Sequence, residues 1–433
     1  MKRQIVLTRK KIILAISISL FVTLANYIVG NTSIPLPGEM TVLRGWEQLK
    51  SLNGWSHDSI PDDVLLVDVA YDKQLVDYYK DEILVGQRTI TDRQKLLTLL
   101  TAAKKADNYK YIMLDVIFEE GIKSPQDSAL FHLIASMDRI VIAAHKDTQL
   151  QDSCLYSKAA NADYTITSEE TNFARYQFIH DGQKSIPLHM YEDMNQGQIK
   201  KWWFLYFDHG WICRNGLTLK MPVRFADNPS EGEMHQNYDR QYLGADILSI
   251  DSVMPISEQI KDKIVVVGDF KEDTHDTYLG VQPGSVICLN AYYALLNHDH
   301  IILGHFGATL LFYLLMCFVY FALTIAILNG FTLSSITKKI WLKIILSLFS
   351  ISTFFWIIAV FAYITPLDIA YNIWIPLGVF SILDLFFNYK KRYNNIKNEK
   401  EENNDSAASA NDSDNNNSST LQDTIPELPQ NTD

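Results

Sequence analysis

The sequence predicts an α/β fold with a largely parallel sheet, helices and inserted antiparallel hairpins, outside the membrane and attached to four transmembrane helices. Short β-branched runs alternate with segments of helical periodicity, which is typical of strand–helix–strand units. Turn dipeptides divide residues 160–250 into hairpin-like pairs. Four apolar runs are each close to the ~20 residues that a helix needs to cross a bilayer.

The first apolar run, residues 12–29, follows a basic N-terminal segment, residues 1–11. We expect it to remain in the protein as an anchor. A cleaved signal peptide is the alternative, although the VGNTS that follows contains no small-x-small cleavage site. The other three runs occupy residues 308–330, 344–364 and 367–389. The chain is therefore predicted to be an integral membrane protein.

Lys and Arg cluster before the first run, between the second and third runs, and after the fourth. Because basic loops stay in the cytoplasm, both termini are predicted to be cytoplasmic and residues 31–305 extracytoplasmic. A multi-pass protein of a bacterial inner membrane, with a periplasmic domain, fits this arrangement. Residues 390–433 are rich in Asn, Ser and Asp, which predicts a disordered cytoplasmic tail without an output domain.

The net charge of −12 comes mostly from the outer segment. It disfavours nucleic acid and anionic lipid as partners and permits cations or basic proteins. Cys154, Cys213 and Cys288 also lie in this segment, so at most one intramolecular disulfide is expected there.

Nearly continuous apolar runs in the outer segment predict strands that are buried on both faces, as parallel strands are. Leu96, Leu99 and Leu100, which follow the run at residues 64–70, stand at helical spacing and predict a helix. A Ser-Pro-Gln-Asp sequence at residues 124–127 predicts the start of the next helix. The predicted strands are Val64–Ala70, Tyr111–Phe118, Ile140–Ala144 and Ile264–Gly268, and Val286–Asn297 is predicted as a buried helix.

The hairpins are predicted around Asp181-Gly182 and Asn215-Gly216. The first would pair Arg175–Ile179 with Ile186–Tyr191, and the second Phe204–Cys213 with Leu217–Phe225. An aromatic cluster precedes the second turn, and we expect it to pack in a core or sheet, with a ligand surface as the alternative. Its members are Trp202, Trp203, Phe204, Tyr206 and Phe207.

Asp68 and Asp115 occupy matching positions inside two of the predicted strands. Ligands of open α/β sheets bind beyond the carboxyl ends of the strands. Two carboxylates side by side there could bind a cation or shift each other's pKa. The alternative is that each caps a loop or pairs with a buried arginine such as Arg93.

An acidic loop follows the predicted strand that ends at Gly268. Gly268 would let the chain turn, so that Asp269, His275 and Asp276 could face the two strand-end aspartates. Hard cations favour such oxygen-rich clusters, but the spacing matches no recognised metal motif, and a solvated rim is the alternative. A metal is therefore left undecided. The sequence contains no nucleophile elbow and no phosphate-binding glycine loop, so neither catalytic residues nor a cofactor are predicted.

In order, these segments resemble the second type of CHASE domain, an extracellular sensory module found ahead of bacterial adenylate cyclases, histidine kinases and serine/threonine kinases. DDVLLVDVAYD resembles the opening strand, and the helix that carries Arg93 leads to YIMLDVIF as in that family. DSALFHLIASMDRIVIAA resembles the next helix and strand. The closing segment ADILSIDSVMPISEQIKDKIVVVGDF, followed by PGSVICLNAYYALLN, is the most specific similarity.

The resemblance implies ligand sensing, although QRTIT replaces the usual tryptophan–proline pair before Arg93 and no output domain follows. We therefore expect an unidentified small ligand, with signalling through the membrane helices to a separate signalling or envelope protein; a homodimer is also compatible. The alternatives are an envelope scaffold and a metal-dependent hydrolase that uses the acids and His275. The candidate ligand-binding residues are Asp68, Arg93, Asp115, Gly268, Asp269, His275 and Asp276.

Overall fold

A computed structural model of the chain describes residues 7–32, 52, 61–147, 149–163, 175–219, 221, 223, 240–277, 280–301, 308–329, 341, 375, 378–384, 386–387, 389–390 and 392–401. Its strands are β1 (Val64–Asp68), β2 (Lys73–Lys80), β3 (Ile83–Thr91), β4 (Tyr111–Leu114), β5 (Ile140–Ala144), β6 (Ala159–Asn161), β7 (Arg175–Gln177), β8 (Ile179–His180), β9 (Gln183–Lys184), β10 (Ile199–Trp202), β11 (Leu205–Asp208), β12 (Trp211–Cys213), β13 (Gly216–Thr218), β14 (Gln241–Tyr242), β15 (Ile264–Gly268), β16 (Thr274–Thr277) and β17 (Gly280–Pro283). Its helices are α1 (Arg9–Gly30), α2 (Arg93–Ala106), α3 (Asp127–Ala135), α4 (Ile186–Asn195), α5 (Ile256–Gln259), α6 (Gly284–Leu296) and α7 (Ala308–Leu328).

A six-stranded parallel sheet in the order β14-β1-β15-β4-β5-β6 organises the domain within residues 31–305, which we call the outer domain after its predicted location. The predicted α/β fold with a large parallel sheet and antiparallel hairpins is confirmed. Its four central strands, β1, β15, β4 and β5, coincide with the four apolar runs, because each is buried on both faces. The order of the strands places β15, which comes late in the chain, between β1 and β4.

Helices cover both faces of this sheet. Leu65 and Val67 of β1 pack with α2, α3 and α5, whereas Val64 and Leu66 pack with α4 and α6. The Asp92 side chain caps α2 by accepting a hydrogen bond from the Lys95 amide at 3.0 Å. Burial of each of the fully buried leucines of α2 contributes about 1.5–3 kcal/mol to the stability of the fold. These leucines are Leu96, Leu99 and Leu100.

The hairpins differ from the predictions in detail. The turn at Asp181-Gly182 joins β8 to β9, and Ile186–Tyr191 is not a strand but part of α4, whose first turn contains Pro187. Proline suits the first turn of a helix, because its missing amide would have no partner there. Residues 204–213 form β11 and β12 rather than one strand, and β13 pairs with β7 rather than with β12.

The chain divides into two compact units: residues 20–318 with 353–375, and residues 1–19, 319–352 and 376–433. In the described part of the chain, one helix, α1, is long and apolar enough to cross a membrane. α7, whose 21 residues include no charged side chain, coincides with the second predicted span.

The third predicted span, residues 344–364, lies outside the described residues, as does most of the fourth at 367–389. Residues 392–401, which fall in the predicted disordered tail, are helical. All four cysteines are free, so no disulfide links Cys154, Cys213 or Cys288.

Candidate functional site

A pocket of about 620 Å³ opens at the carboxyl edge of the parallel sheet; we call it the sheet-edge pocket. The segments that follow β1, β15, β4, β5 and β6 form its floor, and the β2–β3 hairpin closes one side. This is the edge at which open α/β sheets bind ligands. Its charged and histidine lining residues are Lys73, Arg88, Asp115, Glu119, His145, Asp163, Asp269, Glu272, Asp273 and His275.

Asp115 lies on the floor of the pocket, directly after β4. Its amide donates to the carbonyl oxygen of Val267 at 2.8 Å, which continues the β15–β4 ladder and fixes the backbone. Burial and, to a smaller extent, nearby Asp273 raise the pKa of Asp115 to about 7, while His275 acts in the opposite direction. No described side chain donates a hydrogen bond to this carboxylate. The pocket therefore contains a carboxyl group that is poised to titrate near neutral pH.

Most of the pocket's other acids lie next to a basic or histidine side chain. Lys73 donates to the Asp269 carboxylate at 2.6 Å. Although burial acts to raise the pKa of Asp269, that contact and the amides of Lys271 and Glu272 hold it below its usual value. Three further acids have partners across the pocket: Arg88 binds Glu119 at 2.7 Å, His145 contacts Asp163 at 2.7 Å, and His275 contacts Asp273 at 3.2 Å.

Gly268 lies beneath the pocket at the end of β15, where it allows a close approach of α6. A Cβ at this position would lie 2.8 Å from the Oγ and 3.0 Å from the Cβ of Ser285, and 3.5 Å from the Cβ of Asp115. Its backbone φ is not positive, so a left-handed backbone conformation is not the reason for a glycine here. Glycine is needed here because the first turn of α6 occupies the space of a side chain.

We expect Gly268→Ala to destabilise the outer domain by about 1–3 kcal/mol, because the added methyl group overlaps Ser285. Ser285→Gly removes both clashing atoms, so the double variant should regain most of the loss. Urea unfolding of the four proteins of this cycle measures the coupling. If Gly268→Ala costs the same stability with and without the Ser285→Gly change, the close approach is not the cause.

Asp68 does not share this pocket with Asp115. β15 lies between their strands, which places them roughly 10 Å apart at two strand spacings. Asp68 is fully buried, contacts Arg240 at 3.1 Å and accepts a hydrogen bond from the Ala70 amide at 2.8 Å. Burial raises its pKa, with the Ala70 amide and Arg240 acting against the rise. Asp68 therefore forms an ion pair with Arg240 instead of lying beside Asp115.

Arg93 also lies outside the pocket lining. Its guanidinium is fully buried, 3.6 Å from Asp127 and 4.3 Å above the ring of Phe118. Burial lowers the pKa of Arg93 to about 10, and Asp127 opposes this shift. These contacts join α2 to the start of α3. Asp276 is exposed on β16, opposite Val281, and does not line the pocket either.

The structure thus brings together Asp115, Asp269 and His275 from the predicted set. Several charged lining residues were not predicted from the sequence. His145 directly follows β5 and Asp163 lies two residues after β6, so their positions at strand ends were a signal for them. Lys73 and Arg88 come from the β2–β3 hairpin, for which the sequence pattern gave no signal. Among the described residues, no group of three or more His, Cys, Asp or Glu side chains could hold a metal ion.

At the opposite edge of the sheet, the end of α1 is bound to the outer domain. The Tyr27 hydroxyl donates to the Cys213 carbonyl oxygen at 2.9 Å and accepts from the Tyr206 amide at 3.2 Å, which bridges β11 and β12. The Asn31 side chain accepts from the Asn215 amide at 2.6 Å. Cys213 also forms a bridge with Ile301, just after α6. We call this region the membrane-side junction.

A family model for the CHASE2 domain matches residues 38–325. No curated protein and no solved structure matches the chain significantly. The matched segment contains the whole parallel sheet, the sheet-edge pocket and most of the membrane-side junction. CHASE2 domains are sensory domains and are typically extracytoplasmic in membrane proteins. Because the match covers most of the chain, the protein belongs to the CHASE2 domain family.

Proposed function

We propose that this CHASE2 protein is a membrane-bound sensor that binds a small ligand in the sheet-edge pocket. Ligand binding would change the conformation of the domain and of its membrane helices, and a separate protein partner would respond to that change. The observation that carries the proposal is Asp115, a carboxylate without a hydrogen-bond donor in the described chain, on the floor of a pocket of about 620 Å³. Strongly perturbed groups in clefts favour a binding role.

The charges of the pocket favour a ligand with a positive charge. Six carboxylates line it against two basic side chains, Lys73 and Arg88. Both cations are already engaged by acids. An ammonium or guanidinium group next to Asp115 would stabilise the charged form of that carboxyl group, whereas an anionic ligand would meet an excess of negative charge. We infer a small organic cation as the ligand class.

α6 offers a physical connection between the pocket and the membrane. Its first turn packs against Gly268, and the Gly284 amide donates to the Asp273 carbonyl oxygen at 3.0 Å. Its 13 residues extend about 20 Å. Beyond its end, the Arg214 amide donates to the His300 carbonyl oxygen at 2.8 Å at the membrane-side junction. A ligand that moves the Asp273 loop would therefore act on both ends of one rigid helix.

The proposed membrane topology is the one predicted from the sequence. α1 and three later helices would span the membrane, with residues 31–305 outside the cytoplasm and both termini inside. The apolar length of α1 and the basic clusters of the sequence support this topology. The proposal includes no catalytic activity for the domain, and the partner is a separate signalling or envelope protein.

We expect a small organic cation to raise the melting temperature of the full chain in mild detergent. Putrescine and choline serve as cationic probes, succinate as the anionic control and glycerol as the neutral one. A ligand at 100 times its Kd adds about 2.7 kcal/mol of stability. Differential scanning fluorimetry measures the shift. A response to succinate alone would overturn the proposed ligand charge. No response to any compound, together with a protein that co-purifies, would favour the scaffold alternative.

A further inference from the structure

The three-stranded sheet of β10, β11 and β12 has one face with buried central residues and one largely apolar face whose side chains are half-buried or exposed. Paired residues of antiparallel strands point to the same side, so Ile199, Tyr206, Asp208 and Cys213 share the buried face. The opposite side carries a basic residue and large apolar side chains and continues into the turn between β10 and β11. This apolar face consists of Lys200, Trp202, Leu205, Phe207 and Ile212, with Trp203 and Phe204 at the turn.

The tryptophans of this face are far more exposed than the sequence predicted. Trp202 is 67% exposed and Trp203 is 78% exposed, so these two do not pack in a core, whereas Tyr206 of the same cluster does. The rings of Trp203 and Phe204 contact each other in a tilted arrangement, with centroids 4.5 Å apart. Soluble domains seldom leave such large rings together on an open surface unless another phase or molecule covers them.

The position of Tyr27 indicates what covers this face. Tyr27 lies near the outer end of the apolar run of α1, and its hydroxyl binds the Tyr206 amide. Trp202 and Trp203 are three to four residues from Tyr206, a distance of at most about 13 Å along an extended strand. If α1 spans the membrane, as the proposed function requires, Tyr27 marks the outer boundary of the bilayer, and the tryptophans lie close to that boundary.

We propose that the apolar face rests in the headgroup region of the outer leaflet, with Trp202 and Trp203 inserted at the lipid–water boundary. Indole rings favour this region because their apolar body meets the acyl chains while the N–H group remains hydrated. Lys200 shares the face and can extend its ammonium group to lipid phosphates. The contact fixes the orientation of the membrane-side junction on the bilayer.

The full chain in phosphatidylcholine nanodiscs tests this contact. Lipids with brominated acyl chains quench nearby tryptophan emission. Trp202→Phe combined with Trp203→Phe should remove a clear part of the emission that the brominated lipids quench in the wild type. Trp211→Phe, a change in the same sheet on the other face, should leave the quenching unchanged. Leu205→Trp in the double variant should restore quenching, because Leu205 lies on the apolar face.

Equal quenching in the wild type and the double variant would overturn the inference, and so would emission that responds to protein dilution instead of bromine. The latter result would identify a protein, such as a second copy of this chain, on the apolar face. Failure of the chain to enter nanodiscs would instead contradict the membrane anchoring in the proposed function. Far-UV circular dichroism of each variant establishes that the outer domain is folded.

Discussion

Replacing Asp208 by alanine is expected to destabilise the outer domain by about 3–5 kcal/mol, because it breaks a buried, hydrogen-bonded pair. Asp208 and His300 are both fully buried, and a ring nitrogen of His300 lies 2.8 Å from the carboxylate. The same carboxylate accepts hydrogen bonds from the Tyr191 hydroxyl at 3.1 Å and the Gln198 amide at 3.2 Å. Without Asp208, the buried side chains of Tyr191 and His300 and the amide of Gln198 would lose this acceptor.

Urea unfolding of the full chain in detergent, followed by tryptophan emission, measures this loss. His209→Ala is the matched control: His209 contacts the same carboxylate at 2.9 Å but is 54% exposed on its side chain, so its removal should cost less than about 1 kcal/mol. Similar losses in the two variants would contradict the view that burial determines the effect.

The same substitution has a defined pH dependence. Burial acts to raise the pKa of Asp208, but the contact with His300 and the hydrogen bonds of Gln198 and Tyr191 lower it to about 2. A carboxyl group with a lowered pKa contributes its stability above the unfolded value near 3.8 and loses it as the pH falls towards 2. The difference in the free energy of unfolding between the wild type and Asp208→Ala should therefore decrease as the pH falls from about 4 to about 2.

The central residues of individual strands could be predicted from the sequence, but the order of the strands in the sheet could not. Burial on both faces demands continuous apolar residues, and this demand is visible in β1, β4, β5 and β15. The insertion of β15 between β1 and β4 depends on contacts between residues some 200 positions apart. For this reason the expected proximity of Asp68 and Asp115 was not found, although both lie at the predicted edge.

The candidate site was only partly predictable for a related reason. The β2–β3 hairpin lies largely on the surface, so it has no strict alternation of apolar and polar residues. Its contributions to the pocket, Lys73 and Arg88, were therefore not identified. The role of Gly268 was also hidden, because the atom that excludes a side chain there belongs to Ser285, on the next helix. Strand ends are thus visible in a sequence, whereas the elements that close a pocket over them are not.

Asp115→Asn is expected to stabilise the protein by about 1–3 kcal/mol at pH 8 and to abolish the response to a cationic ligand. In the folded protein, burial raises the pKa of Asp115 to about 7, against a usual value of 3.8. Each unit of pKa difference corresponds to about 1.4 kcal/mol, and the opening of the pocket to solvent reduces the full penalty. Asparagine keeps the shape of the side chain and has no charge to bury.

The sign of the pH dependence follows from the raised pKa. Between about pH 4 and pH 7 the folded state holds a proton on Asp115 that the unfolded state has lost, so wild-type stability falls as the pH rises through this range. The Asn variant lacks this contribution, and its advantage should grow from about pH 4 to pH 7 and then remain constant. Thermal unfolding of both proteins at intervals of half a pH unit measures the difference.

Asp269→Asn provides a control of opposite sign in the same pocket. Its carboxylate is bound by Lys73, which holds the pKa of Asp269 low despite burial, so removing the charge should destabilise the protein. If both variants lose stability, Asp115 has a partner and the binding proposal loses its main support. If Asp115→Asn is the more stable protein but no longer responds to putrescine or choline, the wild type retains an acid that weakens its fold. A stability cost of that kind at a pocket is the expected signature of a residue kept for binding.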